Sequence, residues 1–362
     1  MSRTSLDFVV SRQDLRDHKL IESKLPELAE GDILVKVDKF AFTSNNITYA
    51  AFGDQMHYWD FFPAPEGFGR IPVWGFADVV ESRCDGVAVG ERFYGYLPMS
   101  SHVLLKADRV RPHGFIEVSP HRAALARVYN QYLRVALDPA YDKAREGEQC
   151  LLGPLFKTAF FIDDLIADND FFGARAVVLS SASSKTALGV AFLLSRRPGL
   201  EVIGLTSPGN KAFVESTGYY NQVVSYDEIA TVPADLPVVF VDMAGNADVI
   251  ATLHHHFGDA MKYSCIVGGT HWEARGVGGA GKTLPGPKPV FFFAPTQIAK
   301  RTEEWGVGGV EQRYGVKWQA FLTSVDSWMT ITSGAGASDI ASVYLEMLDG
   351  RVCPQQGHML SL

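Results

Sequence analysis

From Ala174 onward the chain alternates short apolar runs with segments of helical period, and this alternation constrains the fold more than any other feature. The runs are ARAVVLS, EVIGLT, QVVSY, PVVFVD and SCIVGG, with helices expected near Lys185 to Arg196, Lys211 to Ser216 and Asp248 to His256. Strands joined through helices pair in parallel and need cover on both faces, so the pattern implies a doubly wound α/β sheet. A Gly- and Pro-rich loop, Gly276 to Pro289, then leads to the buried-looking strand VFFFA. Helix is expected again at Ile340 to Leu348, and GHMLSL reads as a last strand.

Residues 31–110 carry a different pattern. Alternating segments such as DILVKVDKF, IPVWGFADVVES, RFYGYL and HVLLKA, separated by Gly and Pro, read as antiparallel β-structure. Between Pro120 and Leu137, Ala124, Leu125, Val128, Tyr132 and Val135 fall at helical spacing, which predicts a helix opening a second domain. A chain of 362 residues suits about two domains. The expectation is a β-rich domain over residues 1–120, completed by about 315–362, and a sheet-and-helix domain over 121–314.

A net charge of −8 disfavours nucleic acid as a partner, and 47% hydrophobic residues exclude wholesale disorder. Cys84, Cys150, Cys265 and Cys353 form no C-x-x-C pair, so neither a disulfide scaffold nor a cysteine zinc site is expected. Charges at Arg3, Asp7, Arg12, Asp14, Arg16 and Asp17 interrupt any signal-type apolar core. No apolar run approaches the roughly 18 residues that cross a bilayer. These features predict a cytoplasmic protein with no membrane partner.

The segment Val177 to Gly189, VVLSSASSKTALG, reads as a strand, a turn of small residues and a helix. Such a turn offers backbone N–H groups and the positive end of a helix to a dinucleotide pyrophosphate. Hydroxyls of Ser181, Ser183, Ser184 and Thr186 would supplement them, and Lys185 in the first helical turn is favourable only beside an anion. The same segment is also a good Ser-rich helix cap, and G-x-G-x-x-G is absent. The next strand ends in Thr206-Ser207, with no acid for a ribose 2′-OH, and Lys211 follows as a candidate partner for a 2′-phosphate.

These residues stand within a longer likeness. GDILVKVDKFAFTSNNITY, IPVWGFADVVESRCDGVAVGERFYGY, AVVLSSASSKTALGVAFLL and GLTSPGNKAFVESTGYYNQVVSYDE follow one another in an order and spacing that resembles the medium-chain dehydrogenase/reductase superfamily, in its zinc-independent quinone reductase and enoyl reductase branch. The resemblance spans nearly the whole chain. It implies a GroES-like β-barrel domain, partly open, beside a Rossmann domain, with NADPH in the cleft between them and a homodimer as the assembly. It carries cofactor contacts to Ser181, Ser183, Ser184, Lys185, Thr186, Ser207, Lys211, Tyr226, Gly268 and Gly269. Thr43, Phe76 and Ala77 stand where zinc-dependent members have Cys and His-Glu, so no catalytic metal is implied.

Other motifs compete poorly. Gly276 to Thr283 satisfies G-x-x-x-x-G-K-[ST], but Leu284-Pro-Gly-Pro-Lys-Pro289 follows where a P-loop needs a helix, so an access loop is expected in place of an ATP site. His254-His255-His256 cannot converge on one ion from successive helical positions and reads as a solvated helix end. Without zinc, the electrophilic hydrogen-bond donor of a hydride transfer must be a side chain or water. Asn46, Tyr49, Tyr132 and Lys157 are the candidates, Tyr129 and Tyr132 being expected on one helix face. The function expected is metal-free, NADPH-dependent reduction of a small carbonyl, enone or quinone substrate. A non-catalytic NADPH-binding redox sensor or partner protein is the alternative, and a P-loop nucleotidase a third.

Overall fold

A computed structural model describes residues 3–138, 141–267, 284–351 and 353–362. The chain opens with β1 (Thr4–Ser11), β2 (His18–Lys24), β3 (Asp32–Phe42), α1 (Ser44–Ala51), β4 (Phe68–Gly69), β5 (Pro72–Ser82), β6 (Arg92–Pro98), β7 (His102–Arg111), β8 (Gly114–Glu117) and β9 (Gln131–Arg134). Next come α2 (Glu146–Asp168), β10 (Ala176–Leu179), α3 (Lys185–Leu194), β11 (Glu201–Thr206), α4 (Lys211–Ser216), β12 (Gln222–Ser225), β13 (Val238–Asp242), α5 (Ala247–Phe257) and β14 (Met261–Ile266). The chain ends with β15 (Val290–Phe291), α6 (Ala294–Val325), β16 (Thr330–Ala335), α7 (Gly336–Leu348) and β17 (Gln356–Ser361). Two compact units result, Met1–Leu151 with Thr330–Leu362, and Leu152–Met329.

In the first unit, strands β3, β5, β6, β9, β8 and β7 pair in that order, and β7 returns to β3. The ladder from Asp32 opposite Lys106 to Lys36 opposite His102 closes a six-stranded antiparallel barrel, where a partly open one was expected. The period of two sends Ile33, Val35 and Val37 into a core shared with Val73, Val79, Phe93, Leu105 and Phe115, all buried. Gly75 permits the close approach of β3, since a Cβ there would lie 2.5 Å from the Lys39 carbonyl oxygen.

The helix expected over 120–137 does not form. That segment is a set of 3-10 turns followed by β9, which pairs with both β6 and β8. Helical spacing was present, but β9 bridges β6 and β8 in the closed ring, and that tertiary pairing overrides the local period. Tyr132 therefore sits on a strand, while Tyr129 sits in the turn before it. The segment stays with the barrel, and the chain passes between units within α2 and again before β16, later than the boundaries expected near 120 and 314. Gly147, Gly153 and Pro154 mask α2 in the sequence, because each lowers helix propensity.

The second unit is a six-stranded parallel sheet in the order β12-β11-β10-β13-β14-β15. Counted along the chain this is 3-2-1-4-5-6, the Rossmann order, whose direction reverses between β10 and β13. Every residue of β10 and β13 is buried, as central parallel strands require. The expected VFFFA strand shrinks to Val290–Phe291, and Phe293 is 59% exposed just before α6. In the histidine triplet only His255 is exposed. His254 is fully buried between the Pro285 carbonyl and the Ser264 hydroxyl, each at 2.9 Å. Among the described residues no helix is long and apolar enough to cross a membrane.

Candidate functional site

The reversal between β10 and β13 defines a crevice at the carboxyl ends of these strands, the position where open α/β sheets take ligands. Ser180 and Asp242 meet there. The Ser180 hydroxyl donates to Asp242 Oδ1 at 2.6 Å and accepts from the Met243 N–H at 2.8 Å. Asp242 also accepts from the N–H groups of Gly245 and Ala244, at 2.8 and 3.2 Å. Burial pushes its carboxyl above the usual range, with those hydrogen bonds opposing the shift. Neither residue was singled out from the sequence, although PVVFVD ends on the acid.

The turn after β10 reaches the geometry of a glycine-rich loop without its glycines. Ser181 is left-handed, with φ of 50°, and its N–H donates to the Tyr226 hydroxyl at 2.8 Å. Ala182 donates to the Leu205 carbonyl at 2.9 Å and accepts from the Tyr220 hydroxyl at 2.8 Å. Gly204 makes room for this, since a Cβ there would press into the Tyr220 ring and the Ala182 methyl, both under 3.0 Å. Ser184 then caps α3, its hydroxyl accepting from the Ala187 N–H. Ser183 accepts from Asn210 Nδ2 at 3.1 Å. Lys185 and Thr186 form the first turn of α3 and head the helix at its positive end.

Ser181, Ser183, Ser184, Lys185 and Thr186 thus lie along one turn, with Ser207, Lys211 and Tyr226 at the ends of the neighbouring strands β11 and β12. Tyr226 holds the turn in place, where the sequence had placed it on the cofactor. Lys211 is not alone: its Nζ pairs with Glu228 Oε2 at 2.7 Å. Glu228 was missed because it enters from the turn after β12, where only tertiary pairing brings it beside β11. Gly268 and Gly269 lie outside the described residues, as does the whole Gly276 to Thr283 motif.

Of the four expected catalytic side chains, Asn46, Tyr49 and Tyr132 stand in the barrel unit and Lys157 in the other. Asn46 is a brace: its Oδ1 accepts from the Thr43 N–H and hydroxyl at 2.7 and 3.0 Å, and its Nδ2 donates to the Pro72 carbonyl at 2.9 Å. Tyr132 is packed in the barrel, stacked on Phe115 at 5.0 Å with its hydroxyl donating to the Tyr96 carbonyl, which leaves it no free face. Lys157, in the other unit, is an exposed partner of Glu311 at 3.2 Å. In this structure Asn46 and Tyr132 are engaged within the barrel unit and Lys157 in a surface ion pair.

Tyr49 alone stands in a cluster with chemical potential. Its ring lies 4.4 Å from Tyr58 and 5.9 Å from Tyr96, with Tyr129 stacked 4.5 Å from Tyr96 and Trp74 at 5.2 Å. Burial, reinforced by neighbouring phenols, pushes Tyr49, Tyr58 and Tyr96 above the usual tyrosine range, so all three hold their protons at neutral pH. The Tyr96 hydroxyl is buried without a well-formed hydrogen bond among the described residues. At the positions of a catalytic zinc site, Thr43 caps α1 and Phe76 lies buried beneath the Arg92 guanidinium. Among the described residues no three His, Cys, Asp or Glu side chains are grouped to hold a metal.

Comparison with solved structures places the fold. CurA from Vibrio vulnificus, in complex with NADPH, has a TM-score of 0.63 at 13% identity, covering 98% of each chain. The quinone oxidoreductase from Coxiella burnetii gives 0.56 at 14% identity, over 99% of this chain and 100% of that one. A mutant enoyl thioester reductase from Candida tropicalis gives 0.55 at 11%, over 99% and 100%. At these identities the likeness is one of fold alone, a closed antiparallel barrel unit and a Rossmann sheet, the architecture that the sequence resemblance implied. No curated protein sequence matches the chain. Residues 40–353 match the family described as "Protein of unknown function (DUF2855)", and the chain belongs to that family.

Proposed function

We propose that the chain is an NADPH-dependent oxidoreductase that reduces a carbonyl, enone or quinone by metal-free hydride transfer. The observation that carries this reading is the 3-2-1-4-5-6 sheet with a left-handed turn and the N-terminus of α3 after its first strand, and with Lys211 at the start of α4 after the second. The donor set fits a dinucleotide: first-turn amides and the Thr186 hydroxyl for the pyrophosphate, and an ammonium for a 2′-phosphate. The NADPH complex of CurA, a protein of the same fold, supports the choice of cofactor. When bound, NADPH supplies the hydride.

The chain's own part is binding, orientation and a proton. Preorganised amides hold the phosphates without reorganising, because Tyr220, Tyr226 and Asn210 already fix the turn. Of the barrel tyrosines, Tyr49 and Tyr58 are the acids we assign to the developing negative charge, since burial keeps each phenol protonated and able to donate. Carbonyl, enone and quinone reduction all require such a donor.

Titration of the protein with NADPH and NADH tests the reading. NADPH is expected to bind more tightly, and Lys211→Ala should weaken it by about tenfold while sparing NADH, as loss of a charge-assisted bond predicts. Failure of the protein to bind either cofactor would reject the function. Binding without turnover across a ketone, enone and quinone panel would transfer support to a redox sensor.

A further inference from the structure

In dinucleotide-binding sheets the acid that takes a ribose 2′-hydroxyl stands at the end of the second strand. Here that strand, β11, ends in the buried Thr206, but the register sets Ser225 of β12 directly opposite Thr206. Ser225 delivers what Thr206 lacks. Its hydroxyl donates to Glu228 Oε2 at 2.7 Å and its N–H to the same oxygen at 3.3 Å, fixing the carboxylate beside the end of β11. The same oxygen accepts from Lys211 Nζ at 2.7 Å, and both side chains remain open to solvent, at 34% and 46% exposure.

We propose that Glu228 is a cofactor-selecting residue, which competes with a 2′-phosphate for Lys211, accepts the 2′-hydroxyl of NADH, and so holds the preference for NADPH low. This rests on the cofactor reading above. A 2′-phosphate brings about −1.5 to −2 charges to a site where Lys211 is already paired with an anion. Lys211, and behind it Ser225, hold Glu228 well below the usual carboxylate range, at about 2, so the carboxylate that competes is charged at neutral pH. A 2′-hydroxyl, by contrast, can donate to the free lone pairs of the carboxylate without displacing Lys211. The two residues therefore act against each other: one draws in the phosphate, the other favours its absence.

Glu228→Gln tests this, because Gln keeps the reach to the Ser225 backbone that Glu has in a capping box and removes only the charge. Fluorescence titration of the full chain with each cofactor should show NADPH tightening by about five- to tenfold and NADH weakening a few-fold, the size expected for one unit charge a few ångströms away in a partly solvated site. The gain should shrink in the Lys211→Ala background, where the cation that Glu228 pairs with is gone. Equal changes for both cofactors, or none, in a protein that still binds NADPH would overturn the role of Glu228 while leaving the cofactor reading intact. Absence of binding in the unmodified protein would overturn both.

Discussion

Ser181 keeps a left-handed backbone, with φ of 50°, a conformation that favours glycine. For an L-residue that conformation costs roughly 1–2 kcal/mol, and the hydrogen bond from its N–H to Tyr226 helps to hold it. Ser181→Gly should therefore raise stability by about 1 kcal/mol, after allowance for the looser unfolded chain, and a urea titration reads it directly. A lower midpoint would mean that the serine side chain contributes more than its backbone strain costs. In the sequence the Ser-rich run marked the turn, but not the device that replaces its glycines. Tyr220 and Tyr226 stand some forty positions away, and only strand pairing brings their hydroxyls back to Ala182 and Ser181.

At the scale of elements, the start of α2 is tied to the barrel by charge. Glu146 accepts from Arg92 Nε and Nη2 at 2.9 and 3.1 Å, from Lys39 at 2.8 Å and from the Tyr141 hydroxyl at 2.7 Å, while Arg92 also reaches Asp38 and Asp78. Burial alone would raise the Glu146 carboxyl, yet the bonds from Arg92, Lys39 and Tyr141 outweigh it and hold the group at about 2. A carboxyl depressed in the folded state stabilises it above its unfolded pKa and loses that contribution as pH falls towards the folded one. Urea midpoints followed from about pH 4.5 down to pH 2 should drop more steeply for the unmodified protein than for Glu146→Gln. Arg92→Ala should cost about 2 kcal/mol at neutral pH, because it removes two charged hydrogen bonds from a buried carboxylate that Lys39 and Tyr141 still hold. Equal slopes would show that acid unfolding is set elsewhere. None of this cluster was legible beforehand, since its members come from β3, β5, β6, α2 and the segment before α2, and only strand pairing and tertiary packing bring them together.

For the whole molecule, the expected assembly is a homodimer. β15 is the edge of the parallel sheet, and Val290 and Phe293 are 45% and 59% exposed beside it, apolar surface that a second copy would cover. Light scattering at micromolar concentration should give twice the chain mass of 39.7 kDa, and a value equal to one chain would reject the dimer. The sequence by itself determined the parallel sheet, because the switch between short buried runs and helical periods from Ala174 to Ile266 is written into local burial preferences and needs no distant partner. It determined the antiparallel strands β3, β5, β6 and β7 by the same alternation. Tertiary structure alone decided that Gln131–Arg134 became a strand, that Asn46 and Tyr132 became braces, and that Glu228 faces Lys211. Each of those outcomes depends on which backbone or side chain arrives from elsewhere in the chain, and local periodicity carries no record of long-range pairing.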